Sequence, residues 1–444
     1  MKKLLFSLAL SALTIVAFAQ NNATVNQTGA THTGTVNQTG DLNTATVDQA
    51  GSVQQAFVDQ NGINNMAEVK QDQYIVEGNN LADVDQLGDN NEAYVDQTES
   101  FNRAFINQAG NDNYAKIDQN TNDQWREEYN LGVVEQTGND HEATITQDGD
   151  YLGAWVYQSN MNNTATVTQE GANNASFSQV AMVNQSGTDG VATVLQGEDG
   201  VTPGLGNAAL VTQTGMEESA MVEQYGSGSA ALVGQVDGEK NSAVIKQRSG
   251  SELNVAAIGQ QGGYSNYTQI RQSGKTSWAA VGQAGGEDAY ALVIQAGDDN
   301  QALVGQLMVL DSKVTIQQVG DANFAGVAQV MEANSEAYVW QRWGVDNSAA
   351  GILQYMGSDN DATIYQGIQG VAGGDNLEAQ INQTMQSGST GFIQQSGNDH
   401  YGIINQNIGS GNNATIDQSG TSAVHNGYIN QNFSTGSTAT VTQN

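Results

Sequence analysis

A glutamine returns every 11 or 12 residues along most of the chain from Gln27 to Gln443, and the same short pattern precedes it each time. The residue two before is Val or Ile at thirty-five of thirty-six such glutamines, and the residue four before is Ala or Gly at thirty-four. Asn or Ser often stands six before, as in Asn43-Thr-Ala-Thr-Val-Asp-Gln49. So short a period predicts a repeat architecture in which each copy packs on its neighbours.

The repeating positions are two residues apart, which is the period of one face of a β-strand. The same spacing does not follow the 3.6-residue period of a helix. A glycine commonly stands two after the glutamine, as at Gly40 and Gly420, with Asn or Asp beside it. These residue types accept positive φ angles, so each unit is predicted to be one short strand followed by a tight turn.

Thirty-six nearly identical strands indicate an all-β fold, a cross-β β-solenoid with two short strands per rung of 22–23 residues. From Gln260 to Gln341 the spacing alternates between 12 and 11, which indicates two distinguishable sides. Roughly 18 rungs at ~4.8 Å each give a rod on the order of 85 Å long.

The recurring face is predicted to point inward. Ala or Gly lets the two sheets approach, Val or Ile fills the remaining space, and Gln with Asn or Ser forms hydrogen-bonded ladders along the axis. The alternative, that the glutamines are surface residues of an edge strand, would not explain why they recur. The predicted ladder includes Asn43, Gln49, Asn102, Gln108, Gln119, Ser312, Gln318, Asn323, Gln329 and Gln418.

Composition limits the function. A hydrophobic fraction of 38% approaches that of disordered chains, but the regular placement of Val and Ala argues against disorder. The net charge of −34 excludes binding of nucleic acid through its phosphates. Cations or protonation should favour association of such acidic chains.

Residues 1–19 resemble a secretory signal peptide, with Lys2 and Lys3, an apolar stretch over 4–16 and a small-residue site at 17–19. A membrane anchor is the weaker alternative because the stretch is shorter than the ~20 residues of a span. Residues 20–444 are predicted to form a single solenoid. Loop insertions are expected near 72–80, 120–130, 197–206 and 367–377, and an irregular rung with a possible switch of sides between Gln179 and Gln185.

One stretch matches a known repeat at every fixed position: it runs Ser312-Lys-Val-Thr-Ile-Gln-Gln318-Val-Gly320-Asp-Ala-Asn323-Phe-Ala325-Gly-Val-Ala-Gln329. It resembles the curlin repeat, which reads Ser, five residues, Gln, one, Gly, two, Asn, one, Ala, three, Gln. The resemblance implies a secreted bacterial fibre subunit of the curli type, without enzymatic activity or cofactor, that forms amyloid for adhesion and biofilm matrix. Its partners would be further copies of the chain, a nucleator subunit and an outer-membrane export channel. The first and last units lack a polar cap, so head-to-tail growth is expected.

The outward positions become small and apolar on every second unit from Gln235 to Gln354. An aligned apolar stripe predicts a contact surface, either between rods or under another partner. The candidate lateral interface comprises Leu232, Ala257, Ala280, Leu303, Gly326 and Leu353, each two residues away from a glycine or an alanine on the same strand.

Other site types find little support. Four dispersed histidines without cysteine do not predict a metal cluster, and each stands six before a glutamine. The Asp-rich turns leave calcium binding open. An ice- or surface-binding solenoid would need outward Thr pairs on successive rungs, and pairs such as Thr144/Thr146 are followed by Trp155 and Tyr157. A non-polymerising adhesin remains a further alternative.

Overall fold

The computed structural model describes residues 20–73, 79–120, 129–171, 179–197, 206–248, 250–342, 345–367, 375–420 and 424–444. Within them the secondary structure is all β, in thirty-five strands that fall alternately into two sheets. The odd sheet contains β1 Asn22–Ala30, β3 Thr44–Ser52, β5 Met66–Asp72, β7 Glu92–Thr98, β9 Tyr114–Asn120, β11 Glu142–Asp148, β13 Thr164–Glu170, β15 Val191–Gln196, β17 Ser219–Gln224, β19 Ser242–Gln247, β21 Tyr267–Ser273, β23 Tyr290–Ala296, β25 Lys313–Val319, β27 Glu336–Gln341, β29 Asp361–Gln366, β31 Thr390–Gly397, β33 Asn413–Gly420 and β35 Thr438–Gln443.

The even sheet contains the remaining strands. They are β2 Thr33–Asp41, β4 Gln55–Ile63, β6 Leu81–Leu87, β8 Arg103–Asn111, β10 Leu131–Asn139, β12 Leu152–Met161, β14 Gln179–Gln185, β16 Ala208–Gln213, β18 Ala230–Val236, β20 Val255–Gln261, β22 Trp278–Ala284, β24 Gln301–Leu307, β26 Phe324–Ala333, β28 Ala349–Ser358, β30 Glu378–Ser387, β32 Tyr401–Ser410 and β34 Asn426–Thr435.

Each strand pairs in parallel with the strand two further along the chain, and the pairing places each glutamine on the next glutamine. Gln27 lies on Gln49 in the odd sheet, and Gln38 lies on Gln60 in the even sheet. The same register continues to Gln443 and Gln431. The protein is therefore a β-solenoid with two strands per rung, as the periodicity predicts.

The unit predicted to end at Gln179 lies mostly at 172–178, outside the described residues, and Gln179 itself belongs to the next strand, β14. Gln179 pairs with Leu152, and Gln185 pairs with Gln158, so Gln179 occupies the position six before Gln185. Gln179 therefore does not close a unit as predicted, because an inward glutamine can also take the place usually held by Asn, and the predicted switch of sides here is wrong. The sides are kept: β14 continues the even sheet from β12 to β16.

The core is a continuous column of Ala and Val or Ile between the sheets, running from Ala45 to Ile429. Ala143 and Ile145, four and two before Gln147, are both 0% exposed. Burying each Val or Ile contributes roughly 1.5–3 kcal/mol. Space beside the small position is limited, since a Cβ on Gly132 would lie 2.8 Å from Ile117 Cγ2 of the opposite sheet. The small residue therefore sets how closely the sheets approach.

The turns depend on backbone conformations that glycine and asparagine accept. Gly110, two after Gln108, has φ +135°, and a Cβ there would lie 1.7 Å from the carbonyl oxygen of Gly138 in the next rung. Asn64 and Asn90, one before the inward Asn, have φ of 60° and 59°. Gly110 is thus required for both its φ and its close stacking, whereas the second turn position tolerates side chains in the left-handed region.

The predicted signal peptide, 1–19, lies outside the described residues, as do the centres of the four predicted insertions. Strands on either side of each insertion keep their register, as β8 and β10 do around the second one. Among the residues that the structure describes, no helix has the length and apolarity needed to cross a membrane.

Candidate functional site

The inward glutamines form two amide columns, one in each sheet. In each step Nε2 of one glutamine donates to Oε1 of the glutamine in the next rung, over 2.7–3.0 Å. Every bond points the same way, so each column has an acceptor end at Gln27 or Gln38 and a donor end at Gln443 or Gln431. Buried amides without such partners would be costly.

The same amide nitrogen also joins the two sheets. Gln49 Nε2 donates to the carbonyl oxygen of Thr33, and Gln71 Nε2 donates to that of Gln55, over 3.2 and 3.0 Å. These acceptors belong to the opposite sheet. The sequence pattern does not indicate this second bond, because it joins a side chain to a backbone atom that any residue supplies. It explains why an amide with two donors suits the position.

Asn and Ser residues at most of the positions six before a glutamine form a second type of ladder, from side chain to backbone. Asn43 Oδ1 accepts from the backbone N–H of Asn65 in the next rung over 3.0 Å. Its Nδ2 donates to the carbonyl oxygens of Thr39 and Gly62, both over 3.0 Å. Ser312 Oγ likewise accepts from Ser335 N–H over 3.3 Å. Asn or Ser therefore ties each turn to the next rung.

The ten predicted ladder residues all lie inward, each at most 2% exposed. Six belong to the odd sheet and its turns: Asn43, Gln49, Gln119, Ser312, Gln318 and Gln418. Four belong to the even sheet and its turns: Asn102, Gln108, Asn323 and Gln329.

Histidines replace Asn at this second ladder position. His400 Nδ1 faces the backbone N–H of His425 at 3.4 Å, and its Nε2 faces the carbonyl oxygens of Ser396 and Gly420, both at 3.1 Å. These partners fix the neutral tautomer with the proton on Nε2. Burial, and next the imidazole of His425, lower the pKa of His400. Burial likewise lowers the pKa of His141.

A buried carboxyl occupies the same ladder position in β17's turn. Glu218, six before Gln224, is 1% exposed, and burial raises its pKa to about 7. The N–H of Gly215 donates to Glu218 Oε2 over 3.3 Å and partly opposes that shift. The sequence analysis missed this residue, although its place six before a glutamine would have identified it.

The outer surface has two unlike sides, the odd face and the even face. On the even face Leu232, Ala257, Ala280, Leu303 and Gly326 form one column along successive strands. Leu232 and Leu303 are each 46% exposed, whereas the two alanines and the glycine are half-buried. Leu353, predicted in the same stripe, lies in the adjacent column, where it pairs with Ala328.

The odd face of the same rungs is charged and aromatic. Lys246 Nζ lies 2.9 Å from Glu223 Oε1. Tyr267 and Tyr290 stack with ring centroids 5.3 Å apart, and the Trp340 and Tyr365 rings meet edge to face at 4.3 Å. The two faces therefore differ in charge although the interior is the same on both sides.

The outward Thr pairs occupy two successive rungs. Thr144 and Thr146 lie on Thr166 and Thr168 in the odd sheet, and the next rung brings Leu195. Trp155 and Tyr157, expected to interrupt these pairs, lie on the even face instead. No group of three or more His, Asp or Glu side chains that could hold a metal occurs in the described ranges.

Comparison with protein families matches the curlin associated repeat at residues 19–51, 40–72, 78–99 and 128–149. These four stretches of the chain therefore contain curlin repeats. The matches cover about a fifth of the chain's length, and the register of the matched strands continues through the rest of the solenoid. No protein in a search of curated sequences matches the chain. The repeat and the solenoid point to a structural protein.

Proposed function

We propose that the protein is a secreted structural subunit that joins head to tail into curli-like amyloid fibres, which serve surface adhesion and biofilm matrix. The observation that carries the proposal is the single direction of the amide columns. Their acceptor end, at exposed β1 and β2, complements their donor end at β34 and β35. Another copy of the chain offers the matching amides and backbone in the same register.

The backbone supports the same direction. The N–H of Asn413 donates to Ser437 O in the following rung, over 2.8 Å. Because the N–H groups of successive residues in a strand point to opposite sides, those of Thr438, Thr440 and Thr442 in β35 point towards the open edge. A following copy would accept these hydrogen bonds, and so extend the solenoid without a new type of contact. A nucleator and an export channel fit this function as further partners.

The test replaces Thr440 by proline, which removes one of these donors from the edge without breaking a bond inside the rod. Fibre growth of purified residues 20–444 is followed with an amyloid dye and electron microscopy. Thr440→Pro should slow growth at least several-fold, and Thr440→Val should grow like the parent. Fibre diffraction should show the ~4.8 Å strand spacing along the axis. Absence of fibres from the parent chain over days would favour the non-polymerising adhesin.

A further inference from the structure

The even face over strands β18 to β28 is an extended uncharged surface on a strongly acidic protein. Four outward residues per strand, over six rungs, include no Asp, Glu, Lys or Arg. Large apolar side chains stand exposed there: Leu232 46%, Trp278 39%, Leu303 46%, Leu307 41%, Phe324 45% and Leu353 38%. We call this surface the apolar face. An exposed apolar surface of this kind marks an interaction site.

The two central columns of the apolar face pair one glycine with one larger residue in each of the six rungs. The members of each pair stand three and one before the glutamine of their strand. The glycine is the residue one before the glutamine in four rungs and the residue three before it in two. The pairs are Leu232/Gly234, Ala257/Gly259, Ala280/Gly282, Leu303/Gly305, Gly326/Ala328 and Gly351/Leu353. A side chain and a hole therefore alternate across the face.

The solenoid itself does not require these glycines. A Cβ added to Gly234, Gly259, Gly282, Gly305 or Gly351 meets nothing within 4 Å, and none of the five has positive φ. Glycine weakens a strand interior and often marks a place where another surface approaches closely. Here the space lies outside the rod, so the approaching surface belongs to another molecule.

We propose that the apolar face binds the apolar face of a second copy, with the two rods parallel and related by a twofold axis along the rod between the two columns. This rotation sets the third residue before each glutamine opposite the residue one before the glutamine in the partner. Each Leu or Ala then meets a glycine in its own rung. Leu303 enters the hole at Gly305, and Leu353 enters the hole at Gly351.

The two flanking columns, which contain the residues five before and one after each glutamine, also match under this rotation. Trp278 meets Ala284 of the other copy, Tyr355 meets Ala349, and Phe324 meets Val330, so large residues face smaller ones. Antiparallel rods fit less well, because a reversed order of the rungs sets Gly282 opposite Gly305 and leaves a void. Interlocking sheets of this kind are the dry interfaces of cross-β assemblies.

Charge and area favour a second copy as the occupant. With a net charge of −34, two copies repel unless they meet where carboxylates are absent. The apolar face measures about 20 Å across the strands and about 29 Å along six rungs. Both copies together bury about 1,200 Å², the lower limit of stable interfaces. Pairing should therefore strengthen with salt, which screens the surrounding charge.

The test uses residues 20–444 as fresh single rods in sedimentation velocity, before fibres form, so that it does not depend on head-to-tail growth. The parent chain should form pairs whose association constant rises with salt. Gly305→Leu should lower that constant at least tenfold because it sets leucine against Leu303 of the partner. Since the added side chain has open space in a single rod, its circular dichroism and thermal unfolding should be retained.

The decisive variant combines Leu303→Gly with Gly305→Leu. It reverses side chain and hole within one rung, as the Gly351/Leu353 rung does naturally, and should restore pairing to within about threefold of the parent. Thr315→Leu, an outward substitution on the odd face, should leave pairing unchanged. The proposal is overturned if the parent stays single at all salt concentrations, if Gly305→Leu pairs like the parent, if the double variant stays as weak as Gly305→Leu, or if Thr315→Leu abolishes pairing.

Discussion

At the scale of single residues, several polar side chains share one role at the position six before a glutamine. Asn43, Ser312 and His400 each accept a hydrogen bond from the next rung's backbone N–H. A side chain that changes its protonation state at this position makes the local stability depend on pH. Glu218 lowers the stability as pH rises, whereas His400 lowers it as pH falls.

Glu218→Asn should stabilise the protein at high pH. Burial raises the pKa of Glu218 to about 7, so the folded state holds its proton more tightly than the unfolded state does. The parent's stability therefore falls as pH rises from about 4.5 through 7, by at most about 3 kcal/mol. Urea unfolding should show the variant more stable by about 2–3 kcal/mol at pH 8 and close to the parent at pH 4. An equal difference at both pH values would contradict this account.

His400→Asn should stabilise the protein at low pH. The pKa of His400 is lowered, so its contribution is present above about 6.5 and is lost as pH falls below that value. Thermal unfolding at pH 5 should favour the variant, with little difference at pH 8. His32→Asn, at the same position of its unit beside the exposed strand β2, serves as the control and should show a smaller change.

At the scale of strands, adjacent glutamines have unlike roles. Gln318 points inward, accepts from Gln295 over 2.9 Å and donates to Gln341 over 3.0 Å. Gln317 points outward and is half-buried. Both residues lie in β25. A difference in stability between variants at these two positions therefore does not come from the strand's propensity or register.

Gln318→Leu should destabilise the rod by about 2–4 kcal/mol, because it leaves a donor of Gln295 and the acceptor of Gln341 unpaired in the core. Gln317→Leu should change stability by less than about 0.5 kcal/mol. Hydrogen exchange measured over β23 to β27 checks both, since the loss in the first variant should centre on these strands. Equal protection in the two variants would show that the amide column contributes nothing.

At the scale of the whole molecule, parallel in-register stacking sets like charges on neighbouring rungs. Asp59 lies on Asp85 in the even sheet. Burial, and next the adjacent carboxylates, raise the pKa values of Asp83 and Asp85. Raised carboxyl pKa values mean that the stacked state gains stability as pH falls from neutral through those values.

Fibre growth should therefore accelerate as pH falls from 7 towards 4, or when millimolar calcium is added at pH 7. Asp83→Asn combined with Asp85→Asn should raise the growth rate at pH 7 several-fold and weaken its dependence on pH. Growth rates from amyloid-dye fluorescence, seeded to separate elongation from nucleation, check both expectations. A rate that ignores pH and calcium would exclude charge repulsion as the limit on growth.

The periodicity alone predicts the repeat, the strands, the inward side and two strands per rung, because a two-residue period repeated with one glutamine leaves a single way to bury that face. It also located Leu232 and Leu303 on one outer side. It did not identify Gln179 as a substitute for Asn, since residue type alone does not distinguish the two inward amide positions.

The hydrogen-bond partners of the amides follow only from the packing of the two sheets. The bond from Gln49 to the Thr33 carbonyl joins atoms of different sheets, and the distance between sheets is not encoded in spacing along the chain. The tertiary structure also showed that Gly305 has no contact that excludes a side chain, whereas Gly110 has one at 1.7 Å. The same residue type thus has two different roles, because Gly110 faces the next rung of its own rod and Gly305 faces open space.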